Sequence, residues 1–316
     1  MAIPIAGLSA PHTSRGVALI TALLVVALAT VAAVAMASRQ QLDVRRTANL
    51  LDGDQAYAYA EAVEGWGRMI LDRDAKDNQI DKLDDTWAQQ LPPIAVPGGQ
   101  IGGYIIDLQG RFNINNLLTP EGQISAPDLE YFQRLLRALE LNEGLALAIV
   151  DWLDNDFDTR FPDGAEDDYY LSTEVPYRAA NRPMQSISEL RLVKGIDAKI
   201  WKTLAPYVCA LPVRTVLNIN TAQAPLLQAL VEEFSTTSAE QMVEARGETG
   251  YDTLEDFLQQ DAFAGREIAT DRLAVASQYF LIRSEITLGT ARAQVFSIVQ
   301  RNSNGSVILA RTQGTW

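Results

Sequence analysis
A chain of 316 residues, 47% of them hydrophobic, can fold as two or three units and is too apolar for global disorder. Its 40 acids against 26 bases leave a net charge of -14, which excludes a nucleic-acid surface built on clustered Lys and Arg. A single cysteine, Cys209, excludes an internal disulfide and a Cys-based zinc site, and a single histidine, His12, near the N-terminus excludes His-based triads and metal ligands in the body.

Residues Val17 to Ala37 read VALITALLVVALATVAAVAMA, 21 residues without a charge. As a helix they span about 31 Å, enough to cross a bilayer core. The hydroxyls of Thr21 and Thr30 can bond back to their own helix. Two processing routes fit. A secretory signal peptide would use Arg15 as its basic region and Ala35-Met36-Ala37 as its cleavage site. A prepilin leader would instead be cut before the apolar run, after Ser14-Arg15-Gly16. The run exceeds an ordinary signal core, and residues 38–62 contain no Pro and one Gly, so the helix is predicted to continue. The charge rule for orientation favours the opposite of an exported head, since Arg15 precedes the segment but Arg39, Arg45 and Arg46 follow it, so an exported head is expected against this rule.

Ser14-Arg15-Gly16 followed by Val17-Ala18-Leu19-Ile20 resembles the start of the type IV pilin and pseudopilin superfamily. The resemblance implies cleavage between Gly16 and Val17 by a prepilin peptidase, with methylation of the new amine. Most members carry Glu at the fifth mature position, where it is thought to pair with a neighbouring subunit's amine during assembly; here that position is Thr21. An unpaired carboxylate in a membrane is expensive. A subunit lacking this assembly residue is not suited to repeat along a filament. The member that lacks it is protein K of the type II secretion pathway.

Further along, Leu42 to Leu71 reads as a more polar helical stem that ends near the acidic stretch Asp72 to Asp85. Leu91-Pro92-Pro93 and Pro97-Gly98-Gly99 read as loops. Tyr104 to Asp107 and Arg111 to Ile114, around Leu108-Gln109-Gly110, predict a short hairpin. Leu129 to Leu153 predicts one helix, its core stripe beginning with Phe132, Leu135, Leu136 and Leu139. Two short helices follow around Gly195, within Ser186 to Leu204. Three more fall at Pro225 to Phe234, Ala239 to Ala245 and Leu254 to Gln260. Gln278 to Leu288, Ala291 to Arg301 and Ser306 to Thr312 alternate as an antiparallel meander with a turn at Asn304-Gly305.

Asp151 to Asp168 holds eight carboxylates (Asp151, Asp154, Asp156, Asp158, Asp163, Glu166, Asp167 and Asp168) offset by Arg160 alone. Such a cluster repels itself unless it is solvated or neutralised by a cation. Hard oxygen donors suit calcium. Asp154, Asp156 and Asp158 have the 1-3-5 spacing of an EF-hand start, but Thr159 replaces the turn Gly and Ala165 the bidentate Glu. Chelation therefore requires Glu166, Asp167 and Asp168 to fold back over Asp154 to Asp158. The alternative is a solvated acidic surface. The interleaved Trp152, Phe157, Phe161, Tyr169, Tyr170 and Leu171 suggest order. Asp151-Trp152-Leu153-Asp154, Gly164 to Leu171, Tyr177 to Asn181 and Ser188 to Val193 resemble the calcium loop region of type II secretion protein K, which implies bound Ca2+.

Leu190 to Pro206 and a second unit from Leu217 are similar to helix-hairpin-helix or SAM-like modules. Asp197 stands where such modules place a second Gly, which puts negative charge where a phosphate would lie. The second unit adds Glu232, Glu233, Glu240 and Glu244, so packing or protein contact is expected and nucleic acid is not. Acid pairs such as Glu232 and Glu233 could do acid–base work, but without a cleft they read as solvated, and no catalysis is expected.

The expected fold is α+β: a long N-terminal transmembrane helix, a small antiparallel pilin-type sheet and a large inserted helical domain. The divisions are 1–16 leader, 17–37 membrane helix, 38–71 stem, 72–116 first part of the pilin-type domain, 117–213 insertion with the acidic loop, 214–272 second helical unit and 273–316 closing strands. The resemblance implies a minor pseudopilin at the tip of a pseudopilus. Its partners would be the I-type and J-type minor pseudopilins, the major pseudopilin, and a secreted substrate or the outer-membrane secretin. It would be anchored once in the inner membrane with its head in the periplasm. The alternative is a membrane-anchored or Sec-exported calcium-dependent adhesion module.

Overall fold
A computed structural model of the chain describes residues 15–90, 92–266 and 268–314; residues 1–14, with His12 and most of the expected leader 1–16, and Leu91 lie outside them. Helix α1 runs over Arg15–Asp77, beyond the Leu71 expected from sequence. The described residues up to Gln55 and those from Ala56 onward form two separate compact units. In the first, the apolar side chains from Val17 to Met36 are exposed, and the segment is long and apolar enough to cross a membrane. Thr21 Oγ1 donates to Val17 O at 3.1 Å and Ala18 O at 3.0 Å, and Thr30 Oγ1 to Val26 O at 2.8 Å, as expected of hydroxyls without a polar solvent.

In the second unit, Ala56, Ala60, Val63, Gly67 and Leu71 recur at helical spacing and lie buried. Small residues let the helix lie close on the sheet. A Cβ on Gly67 would come within 2.9 Å of Ile282 Cδ1. The sheet is antiparallel throughout, in the order β1 (Ile94–Val96), β2 (Gly99–Asp107), β7 (Tyr279–Leu288), β8 (Ala291–Asn302) and β9 (Gly305–Gln313). The predicted closing meander is present, with a bulge between Ile298 and Val299. The predicted hairpin around Leu108-Gln109-Gly110 is not. β2 pairs with β1 and β7, whereas β3 (Phe112–Asn113) pairs in parallel with β4 (Val208–Cys209). Alternation reveals a strand but not its partner.

β2 and β7 are joined through residues 108–278, which form the helical insertion. Its two ends meet where Leu108 N donates to Tyr279 O at 3.0 Å. Buried Asp107 organises this neck: its Oδ2 accepts from Asn218 Nδ2 at 3.0 Å, Thr221 Oγ1 at 2.6 Å and Ser277 Oγ at 2.7 Å. Burial pushes its pKa up, against these hydrogen bonds.

The single helix predicted over 129–153 is two: α2 (Ala126–Ala138) and α3 (Leu145–Leu153). Glu140 takes φ 57°, and Leu141 N closes on Leu136 O at 2.8 Å while Glu140 N reaches Arg137 O at 3.0 Å. That is a Schellman-type stop with Glu in place of the usual Gly, so the sequence carried no warning of it. After α4 (Asp167–Tyr170), the pair predicted around Gly195 appears as a 3-10 turn over Ile187–Leu192 and α5 (Ala198–Leu204). Asp197 caps α5, accepting from Lys199 N and Ile200 N at 2.8 Å each, so its carboxylate takes the amides a phosphate would need. β5 (Leu217–Asn218) leads to α6 (Ala224–Gln228), α7 (Thr236–Arg246) and α8 (Leu254–Leu258), and then to β6 (Leu273–Ala274), which pairs with β5. α6 stops before Glu232 and Glu233, which lie exposed in the turn that follows. One apolar core runs through the insertion from Phe132, Leu136 and Leu153 to Leu226 and Phe257.

Candidate metal centre
α3 delivers the first acids. Its apolar face buries Ile149, Trp152 and Leu153, and this carries Asp151 (0% exposed) and the C-cap Asp154 (2%) inward with it. The chain then loops out through residues 155–163 and returns at Gly164, Ala165 and Glu166, all buried. Gly164 permits the return, since a Cβ there would overlap Asp151 Oδ2 and Arg160 O. Tyr170 and Trp152 anchor the far side, ring centroids 5.3 Å apart. The aromatic residues are therefore divided: Trp152 and Tyr170 are core, whereas Phe157 and Phe161 are 68% and 92% exposed.

The fold-back predicted from the sequence takes place, but through one residue. Carboxylate oxygens of Asp154, Asp156 and Glu166 lie within 4.8 Å of one another. Three other candidates are not in that group. Asp167 Oδ1 accepts from Ala179 N at 3.0 Å, and its Oδ2 lies 3.5 Å from Arg178. Asp158 and Asp168 are exposed. Asp151 is spent on structure, accepting from Arg160 N and Arg160 Nη1 at 3.0 Å each.

Both oxygens of Glu166 and both of Asp154 are buried without a hydrogen-bond partner. The Arg160 guanidinium forms an ion pair with Asp154. Burial, then the charges of Asp151, Asp154 and Asp156, push Glu166 up to about 7. Burial pushes Asp154 up to about 6 against the pull of Arg160. The two orphaned buried oxygens of Glu166 are costly, and a hard cation shared with Asp154 and Asp156 would satisfy them, so the donor set fits calcium. Asn181, at φ 45°, braces the loop by donating from Nδ2 to Asp156 O at 3.0 Å. A non-Gly residue in the left-handed region leaves no mark in sequence beyond being Asn.

Within the acidic stretch Asp72 to Asp85, three acids converge at the end of α1 in a way the sequence did not indicate: buried Asp74 and Asp81 and half-buried Asp85. Arg301 of β8 occupies it, through Asp74 and Asp81.

The family described as Type II secretion system (T2SS), protein K matches residues 110–213 and 217–276. Type II secretion system protein K of Pseudomonas aeruginosa is 37% identical over 312 residues, covering 95% of this chain and 93% of its own. The chain belongs to the type II secretion system protein K family. Its relative in Klebsiella pneumoniae is also 37% identical, over 96% of this chain and 98% of its own. The crystal structure of the GspK-GspI-GspJ complex from enterotoxigenic Escherichia coli contains a chain that superposes with a TM-score of 0.76 at 29% identity, covering 86% of this chain and 100% of that one. The chain is thus a minor pseudopilin, and the adhesion-module alternative gives way. The α+β fold expected from sequence, with its N-terminal helix, antiparallel sheet and inserted helices, is the protein K fold.

Proposed function
We propose that this protein caps the tip of a pseudopilus as a structural, non-enzymatic subunit, and that calcium fastens its acidic loop. Residues 17–37 would anchor it once in the inner membrane, with the head in the periplasm. The I-type and J-type minor pseudopilins would flank it, as GspI and GspJ accompany GspK in the E. coli complex. The major pseudopilin below it and a secreted substrate or the secretin above it complete the expected contacts. The observation that carries the tip assignment is Thr21. Its side chain is a neutral hydroxyl, bonded back to Val17 O and Ala18 O, and brings no carboxylate to a neighbour's amine. Without that pairing the subunit is suited to an end and not to a repeat.

Leader removal between Gly16 and Val17 by prepilin peptidase, with methylation of the new amine, belongs to the same reading. Mass spectrometry of membrane-extracted protein tests it. A mature N-terminus at Ser38 would overturn it.

Asp154, Asp156 and Glu166 are the residues that would hold the ion, and bound calcium would neutralise the charge that their burial makes costly. Heating the full chain in detergent with and without millimolar calcium tests this. A melting temperature that rises in wild type, and not in Glu166→Gln or Asp154→Asn, is expected. No rise in wild type, with no binding heat, returns the loop to a solvated acidic surface. Magnesium should substitute poorly, because it keeps its waters and demands a tighter octahedron.

A further inference from the structure
Among the eight carboxylates of this loop stands one base, and its position is specific. Arg160 does not point to solvent. Its side chain is 25% exposed, and its Nη1 lies 3.0 Å from Asp151 Oδ1 and against Asp154 Oδ2, while its Nη2 lies 3.3 Å from Asp156 Oδ2. Two of these three acids, Asp154 and Asp156, belong to the group that also gathers Glu166. The guanidinium thus occupies the carboxylates that a metal would need. The loop is also built around its backbone: Arg160 N donates to Asp151 Oδ2, Gly164 N donates to Arg160 O at 2.7 Å, and Gly164 has no Cβ to disturb either. The contact with Asp151 is doubly hydrogen-bonded; that with Asp156 is a single, longer hydrogen bond of 3.3 Å, and that with Asp154 is an ion pair.

We propose that Arg160 is a built-in competitor of calcium: it pairs with Asp154 and Asp156, two of the carboxylates an ion would take, and must leave them when the ion binds, so it sets the calcium concentration at which the loop is fastened. This deepens the calcium reading and rests on it. One charge cannot compensate three acids, so Glu166 stays orphaned and the cluster still favours a divalent ion. Asp151 holds the arginine's backbone amide independently of its guanidinium, so the side chain can swing without releasing the loop.

The cost of displacing a cation is subtracted from calcium binding, so removing that cation should tighten the site. Isothermal calorimetry and thermal melts on the full chain in detergent, comparing wild type with Arg160→Gln and Arg160→Lys, test this. For Arg160→Gln we expect a calcium Kd about tenfold lower than wild type, worth about 1.4 kcal/mol. We also expect a lower melting temperature in chelator and a near wild-type one in saturating calcium. Arg160→Lys keeps the charge but loses the fork, and should fall between the two. If Arg160→Gln binds calcium as wild type does or more weakly, Arg160 is a strut and the proposal fails while the calcium site stands. If wild type itself binds no calcium, the calcium reading fails, and the competitor with it. Should Arg160→Gln not fold, Arg160→Lys decides alone: an unchanged or higher Kd overturns the proposal.

Discussion

Arg301 of β8 clasps Asp81, with Nη2 2.6 Å from Oδ1 and 2.5 Å from Oδ2, and reaches Asp74 Oδ2 through Nη1 at 2.8 Å. The pair ties a closing strand to the end of α1 and the segment after it, and Nη2 also donates to Ser277 O at 2.9 Å. Arg301 is 9% exposed and Asp81 0%. Removing one partner of a buried pair strands the other's charge, which costs about 3–5 kcal/mol. Arg301→Ala should therefore lower the stability of the full chain in detergent by that order, read as a fall in urea midpoint. A loss under about 1 kcal/mol would mean that water compensates the acids.

The same cluster predicts a pH dependence. Burial, then the charge of Asp85, push Asp74 up to about 6 against Arg301; burial pushes Asp81 up to about 6. Both stand above the ordinary aspartate value of 3.8. A raised folded-state value means that the native protein holds these protons more tightly than the unfolded chain. Their stabilising contribution is complete below about pH 4 and is lost as the pH rises through about 6. Asp74→Asn should flatten the fall in melting temperature between those values, measured in chelator so that the acidic loop contributes equally to both proteins. An unchanged slope would assign the dependence elsewhere.

Gly164→Ala tests the loop's return. The added Cβ would overlap Asp151 Oδ2 and Arg160 O, one of them backbone. The turn must open, carrying Glu166 away from Asp154. We expect a lower melting temperature and a calcium-induced rise that is lost or reduced at least tenfold in sensitivity. Wild-type behaviour would mean that the return is pliable and Glu166 is not held by it.

Asp197→Ala removes the cap of α5 and should cost about 1 kcal/mol. It should leave calcium binding unchanged, since Asp197 lies outside the group of Asp154, Asp156 and Glu166. Added duplex DNA should leave the melting temperature of both proteins unmoved; a shift with DNA in the variant alone would show that Asp197 suppresses a latent phosphate site.

Much of this was legible in the residues. The closing meander announced itself because its strands alternate and its turn carries Asn304-Gly305. The apolar helix and its continuation needed only composition. The acidic loop was visible as a charge imbalance, and the need for a fold-back followed from the failed EF-hand spacing. Which acid folds back was not visible. Glu166, Asp167 and Asp168 are adjacent carboxylates, and only the trajectory through Gly164 turns Glu166 inward while α4 turns Asp168 outward. The pairing of β2 with β7 was hidden by the long insertion between them, and the break at Glu140 by a residue that rarely takes a positive φ. Arg301 with Asp81 could not be read at all, since nothing local couples residues 220 positions apart.

The neck at Leu108 and Tyr279 bears on how the chain folds. Closing the span of residues 108–278 as a loose loop, before any contact inside it forms, costs entropy that β2 and β7 recover only once they zip together. If the insertion consolidates first around Phe132, Leu136 and Phe257, its two ends emerge side by side, already joined by the bonds that Asp107 gathers, and the strands meet as though joined by a short turn. The prediction is an order of events: amides of α2 and α3 should gain exchange protection before those of β7 during refolding of the full chain in detergent. Sheet amides protected first would reverse that order and make the insertion a passenger on a preformed scaffold.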